Sequence, residues 1–202
     1  MHQYRLVCAA LTALALCLLT VAVSFAQEKT LDKILIMYYS RTGITKMTCE
    51  ALQKSLAADI LEIRDLKNRS GGWGFFTGAV GSLFGLHTEI EPAHPDLSPY
   101  TYIIIASPIW TGKLSTPIRT LIDKNRFEGK KVILFTTTNA FEKEKYKEKS
   151  KASVAKAGGN VMGYYQVVAK KEADKKKVDR SREEIIEDTV KCVPEIRKAF
   201  SE

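Results

Sequence analysis

Three short runs, "KILIMYY" (33–39), "YTYIIIASP" (100–108) and "KKVILFTTT" (130–138), are rich in apolar and β-branched residues almost without interruption. A strand with one face in water alternates apolar and polar residues. A strand that reads apolar throughout is buried on both faces, as in a parallel sheet covered by helices. This confines the chain to α/β architectures. The intervening segments agree. "GITKMTCEALQKSLAA" (43–58) sets Ile44, Met47, Leu52 and Leu56 mostly at helical spacing. "DILEIRDL" (59–66) alternates and predicts a further strand. "LSTPIRTLIDKN" (114–125) predicts a short helix with Pro117 in its first turn. A charged helix is expected over 142–157, and "GGNVMGYYQVVA" (158–169) holds a fifth strand. "SREEIIEDTVKCVPEIRKAF" (181–200) predicts a closing helix kinked at Pro194. Five parallel strands with helices between them predict the order 2-1-3-4-5. Such sheets bind ligands beyond the carboxyl ends of their strands, at the switch point between strands 1 and 3.

The chain has 202 residues, which suits one domain (30–202) behind a segment of another kind. Residues 1–26 carry Arg5 at the start, an apolar stretch from Leu6 to Val23, then Ser24 and Ala26 as small residues before a cleavage point. That is the layout of a secretory signal peptide, and it predicts export to the periplasm or beyond the cell. The alternative is a retained anchor over 6–23, since the apolar run approaches the roughly 18 residues at which membrane spans begin. Cys8 and Cys17 lie in this segment, leaving Cys49 and Cys192. These two are either one disulfide or two buried thiols. No CxxC occurs, and His2, His87 and His94 make no ligand spacing with any cysteine, so no metal is expected.

Net charge is +8. Without Arg5, 30 basic against 23 acidic residues leave +7. The excess gathers in "EKEKYKEKSK" (142–151) and "KKEADKKKVDR" (170–180). Both runs mix signs, unlike a nucleic-acid-binding stripe, and no nucleic-acid partner is expected. They read as a solvated helix face and a solvated loop, or as a docking surface for an acidic partner or an anionic membrane.

The strand ends hold the candidate site. After strand 1 comes "SRTGIT": Ser40, Thr42 and Thr45 supply hydroxyls, Gly43 admits close backbone approach, and a helix begins there. Unpaired amides and the positive end of the helix dipole meet at that point, which suits a phosphate. A simple helix cap explains one hydroxyl, not three with a glycine. After strand 3 comes "SPIWTGKLSTP", where Trp110 is either a core residue or a flat plate for an aromatic ring, with Gly112 free to turn beside it. After strand 4, "TTTNAFE" offers Thr137, Thr138 and Asn139. A phosphate cradle, an aromatic plate and a polar edge fit a flat heterocycle with a single phosphate. GxGxxG and GxxxxGK[ST] are absent, so a mononucleotide flavin is the economical candidate.

Residues 33–202 resemble the flavodoxin-like family. "SRTGIT" is similar to its phosphate loop, and "SPIWTGKLSTPIRTLID" is similar to the segment and proline-containing helix that follow its third strand. The resemblance implies a flavodoxin-like three-layer sandwich holding FMN. Ser40, Arg41, Thr42, Gly43, Ile44 and Thr45 would wrap the phosphate. Pro108, Ile109, Trp110, Thr111 and Gly112 would line the isoalloxazine, with the Trp110–Gly112 turn responding to protonation at flavin N5. Thr137, Thr138 and Asn139 would form the third loop. Ordinary flavodoxins are acidic, whereas this chain is basic, and its third loop is poor in glycine.

The expectation is an exported FMN protein passing electrons to a redox protein or a small donor or acceptor, with no side chain acting as a catalytic acid or base. The alternatives are an FMN-dependent NAD(P)H or quinone oxidoreductase, and a flavin-free binding module of the envelope. "NRSGGWGFFTGAVGSLFGLHTEIEP" (68–92) reads either as a crossover packed on the sheet or as an apolar lid or partner patch.

Overall fold

Alternation along each central strand splits the core in two. The computed structural model describes residues 33–67, 87–173 and 176–202. In chain order the elements are β1 (Ile34–Tyr38), α1 (Ile44–Leu56), β2 (Asp59–Glu62), β3 (Arg64–Asp65), β4 (Ile90–Glu91), β5 (Tyr102–Trp110), β6 (Lys113–Leu114) and α2 (Thr116–Lys124). They continue with β7 (Lys131–Thr138), α3 (Glu144–Lys156), β8 (Asn160–Val168), β9 (Lys170–Ala173), β10 (Lys176–Asp179), α4 (Arg182–Lys191) and α5 (Val193–Ser201). Ile36, Tyr38, Ile104, Ala106, Ile133 and Phe135 point to one face, where Cys49, Leu52 and Leu56 of α1 and the apolar residues of α4 and α5 cover them. Leu35, Met37, Ile103, Ile105, Val132 and Leu134 point to the other, against Ile118, Leu121 and Ile122 of α2 and Val154 of α3. Successive side chains of a strand face opposite ways, so strands apolar at every position need helices on both sides. The result is three layers.

The sheet runs β2-β1-β5-β7-β8, and every pairing along it is parallel. These are the five expected strands in the expected order 2-1-3-4-5. The register places Tyr38 beside Ala106, and Pro108 beside Thr137. The segments leaving β1, β5 and β7 therefore emerge close together at one edge, with β1 and β5 adjacent at the switch point.

Four local expectations need correction. The segment 59–66 is two strands, not one: Ile63 interrupts it, buried and bonded through its amide to the Tyr38 carbonyl, and β3 then pairs with β4 as a separate antiparallel ribbon. The third strand continues past Pro108 to Trp110, because its end folds back on β6 in a hairpin that supplies the partners a loop would lack. The run 170–180 is not a loop. β9 and β10 form an antiparallel hairpin whose register opposes Lys177 to Glu172 and Asp179 to Lys170, and opposite charges across a strand pair are mutually stabilising. Finally, the closing helix is broken rather than kinked. α4 ends at Lys191, and α5 starts at Val193 with Pro194 in its first turn, where a missing amide is harmless.

Cys49 and Cys192 are both free thiols. Cys49 is fully buried, and burial pushes its thiol well above the ordinary range. No helix among the described residues is long and apolar enough to cross a membrane. Residues 1–26, and residues 68–86 of the crossover, lie outside the described residues.

Candidate functional site

The three strand-end segments converge on one cleft. Arg41, Thr42, Ile44 and Thr45 line it from the first, Pro108, Ile109, Trp110 and Thr111 from the second, and Thr137, Thr138 and Asn139 from the third. Its volume is about 190 Å³. Ser40, Gly43 and Gly112, also expected at the site, are not among the residues lining it. Ala169, just past β8, closes one side, and nothing in its sequence context marked it.

The start of α1 is left open. Its N-cap is Gly43 at φ 88°, and no side chain caps the helix. Its first internal bond runs from the Met47 amide to the Gly43 carbonyl. The amides of Ile44, Thr45 and Lys46 precede it and have no acceptor within the helix. The first turn carries no acidic residue. By contrast, α4 closes its own N-terminus with a capping box, Ser181 and Glu184 exchanging side-chain and backbone bonds. The start of α1 thus combines unmet donors with a place beside the cleft, which its residues Ile44 and Thr45 line. That combination attracts an anion.

The hydroxyls take different roles. Ser40 Oγ accepts a bond from the Gly43 amide at 3.2 Å, holding the loop in its tight turn while its own proton stays available to donate. Thr45 is 2 % exposed, and its Oγ1 lies 2.7 Å from Thr137 Oγ1, tying the first helix to the end of β7. One hydroxyl of that pair keeps a proton for a further acceptor. Thr42 is exposed at the rim.

The second segment is strained. Thr111 and Gly112, which join β5 to β6, both have positive φ, 51° and 75°. Two consecutive positive φ values are what a two-residue type I′ hairpin requires. Glycine suits this, whereas a β-branched threonine does not. A Cβ on Gly112 would meet the Tyr146 ring of α3 at 3.0 Å, so this glycine is also a point of close approach. Thr111→Asn, which restores a favoured hairpin dipeptide, is expected to stabilise the fold by about 1 kcal/mol, read from the urea midpoint.

Trp110 borders the cleft but is only 8 % exposed, and its ring meets Tyr39 edge-on, centroids 5.7 Å apart at 88°. Most of the indole is therefore committed to the core.

The third segment is pinned from behind by Glu142. Its amide donates to Gln166 Oε1 at 3.2 Å, and its Oε2 accepts from Gln166 Nε2 at 2.8 Å and from the Tyr164 hydroxyl. Glu142 Oε1 is buried without a hydrogen-bond partner. Burial raises the Glu142 carboxyl above the usual carboxylate range, against the opposing bond from Tyr164. A raised folded-state pKa means that this group's contribution is complete at low pH and is lost as pH rises through that value. As pH rises above the ordinary carboxylate range, Glu142→Gln is expected to flatten this loss, read from urea midpoints at a series of pH values. Glu142 is expected in the charged helix, which instead begins at Glu144, and no sequence signal places it or Phe141, 81 % exposed beside it, at the site. Among the described residues, no group of three or more His, Cys, Asp or Glu side chains is placed to hold a metal ion.

No protein-family profile matches the sequence, and no curated protein matches it. Solved structures do. A flavoprotein in complex with FMN from Lactobacillus acidophilus NCFM is similar at 25 % identity and TM-score 0.55, over 67 % of this chain and 93 % of that one. The apo-form of the flavoprotein from Lactobacillus acidophilus NCFM gives 23 % and 0.53, over 77 % and 97 %. Oxidised flavodoxin 2 from Bacillus cereus gives 20 % and 0.50, over 84 % and 97 %. The strand order, the three layers and these likenesses together make the fold of this chain flavodoxin-like.

Proposed function

We propose that the chain binds FMN and passes electrons through it. The observation that carries this reading is the uncapped start of α1, whose first residues Ile44 and Thr45 line the cleft built by all three strand-end segments. The residues fit the group. Gly43 has open space where a Cβ would stand, Thr42 and Thr45 offer hydroxyls at the cleft, and Arg41 adds a positive charge for a phosphate. Pro108, Ile109 and Trp110 give one apolar side to a flat ring, and Thr138 and Asn139 give it a polar edge. When bound, FMN supplies the electron-transfer chemistry, and the chain supplies placement and electrostatics. The likeness to a flavoprotein in complex with FMN supports the same reading.

An absorption spectrum of the purified chain mixed with FMN tests it. Bound flavin shifts and structures the visible bands, while a protein that leaves FMN free would favour a flavin-free binding module. The positive balance of the chain, with Arg41 at the cleft, favours electron gain. Arg41→Glu is expected to lower the midpoint potential in a redox titration. A second reading, an FMN-dependent NAD(P)H or quinone oxidoreductase, draws on Phe141, which is exposed and does not line the cleft, so that the third segment leaves room for a second substrate. Stopped-flow mixing with NADPH and NADH separates the two, because a carrier is reduced only sluggishly by either. Residues 1–26 support export, which cell fractionation tests.

A further inference from the structure

A second cavity, about 470 Å³, lies between α1 and the segment joining β10 to α4, and Thr42, Ile44 and Ala169 border both it and the cleft. Its volume falls within the range of sites that enclose small organic ligands, roughly 300–1,000 Å³. The β9–β10 hairpin and the start of α4 build its far wall through Asp179, Arg180 and Arg182, and α1 builds the near wall through Lys46, Met47 and Glu50.

The charges are not spent evenly. Arg180 is held by Asp188 at 2.7 Å and by the carbonyls of Val168 and Glu184, and Asp179 pairs with Lys170 at 3.4 Å. Lys46 and Arg182 make no ion pair with another described residue, yet both border the cavity. Two uncommitted cations on opposite walls, next to helix amides already suited to a phosphate, suit a second phosphate joined to the first. Ile44, Met47 and Ile185 give the same space an apolar side for a flat ring, and the Glu50 carboxylate is an acceptor for hydroxyl or amino groups.

We infer that this cavity takes the adenylate half of FAD, so that the flavin site of this chain is not restricted to the mononucleotide. The inference rests on the flavin reading above and deepens it. The isoalloxazine occupies the cleft in either case. The diphosphate crosses the Thr42–Ile44 boundary, and Arg182 and Lys46 meet its outer charge.

Titration calorimetry of the flavin-free chain with FMN and with FAD tests this, for the wild type and for Arg182→Glu. Arg182 opens α4, where an acidic residue is compatible with the helix dipole, so the variant is expected to fold. FAD is expected to bind at least as tightly as FMN. Arg182→Glu is expected to weaken FAD about fivefold or more and FMN less than about twofold, the size of effect that one partly screened cation–phosphate contact exerts. Weaker binding of FAD than of FMN, or an equal effect of Arg182→Glu on both, overturns the inference and leaves the FMN reading standing. Binding of neither flavin overturns both.

Discussion

Gly43→Val is expected to weaken FMN binding by at least about tenfold while the chain still folds. The argument is conformational, not steric. At φ 88° Gly43 occupies backbone space that L-residues avoid, and a Cβ built there touches nothing within 4 Å. Holding an ordinary residue left-handed costs about 1–2 kcal/mol, and a β-branched one is worse placed still. The variant can relieve this only by rotating the backbone around residues 42–44. That rotation breaks the bond from the Gly43 amide to Ser40 Oγ and redirects the unmet Ile44 amide at the opening of α1. Strain retained lowers stability, and strain relieved misaims the donors. About 1.4 kcal/mol is tenfold in affinity, so either route is visible. Calorimetric titration with FMN, beside urea unfolding without it, reads both. Unchanged affinity together with unchanged stability would remove the cradle from the site.

The fold was legible where burial left no freedom. β1, β5 and β7 read as strands because both faces are covered, and their order follows once helices must cross between them. What was not legible depended on pairing over distance or on short charged segments. Half the residues of β9 and β10 are lysines and two are acids, and the register of Lys177 against Glu172 and Lys170 against Asp179 makes them a hairpin. The β3–β4 ribbon is two residues on each side, too short for any period to appear. At the site, residue types were legible and their partners were not. Hydroxyls after β1 announced an anion cradle, but the bond joining Thr45 to Thr137 spans 92 positions, and no local pattern encodes it. Trp110 stood open between core residue and plate for the same reason. Its environment is set by Tyr39 and by α2, not by its neighbours in sequence.

Trp110→Ala is expected to lower stability by about 3–5 kcal/mol even with no flavin present, a large share of the ~5–15 kcal/mol that holds a domain of this kind folded. The indole is 8 % exposed and belongs to the cluster containing Tyr39, Leu114 and Ile118. Its removal would leave an apolar void beneath the cleft and strip Tyr39 of its edge-on partner. Aromatic pairs of this geometry add about 0.5–1.5 kcal/mol beyond the area they bury. Trp110→Phe keeps a ring against Tyr39 and is expected to recover most of the loss. The comparison separates two roles that a single variant would confound. If the indole is chiefly a wall, stability of the flavin-free chain follows side-chain volume across Trp, Phe and Ala, and FMN affinity falls only as far as the cleft deforms. If it is chiefly a plate, affinity collapses at Phe while the flavin-free chain is barely affected, and a loss below about 1 kcal/mol for the alanine variant would count against the wall. The edge-on contact with Tyr39 favours the wall, because an indole held from the side by a neighbouring ring and buried over most of its surface has little area left to offer a ligand.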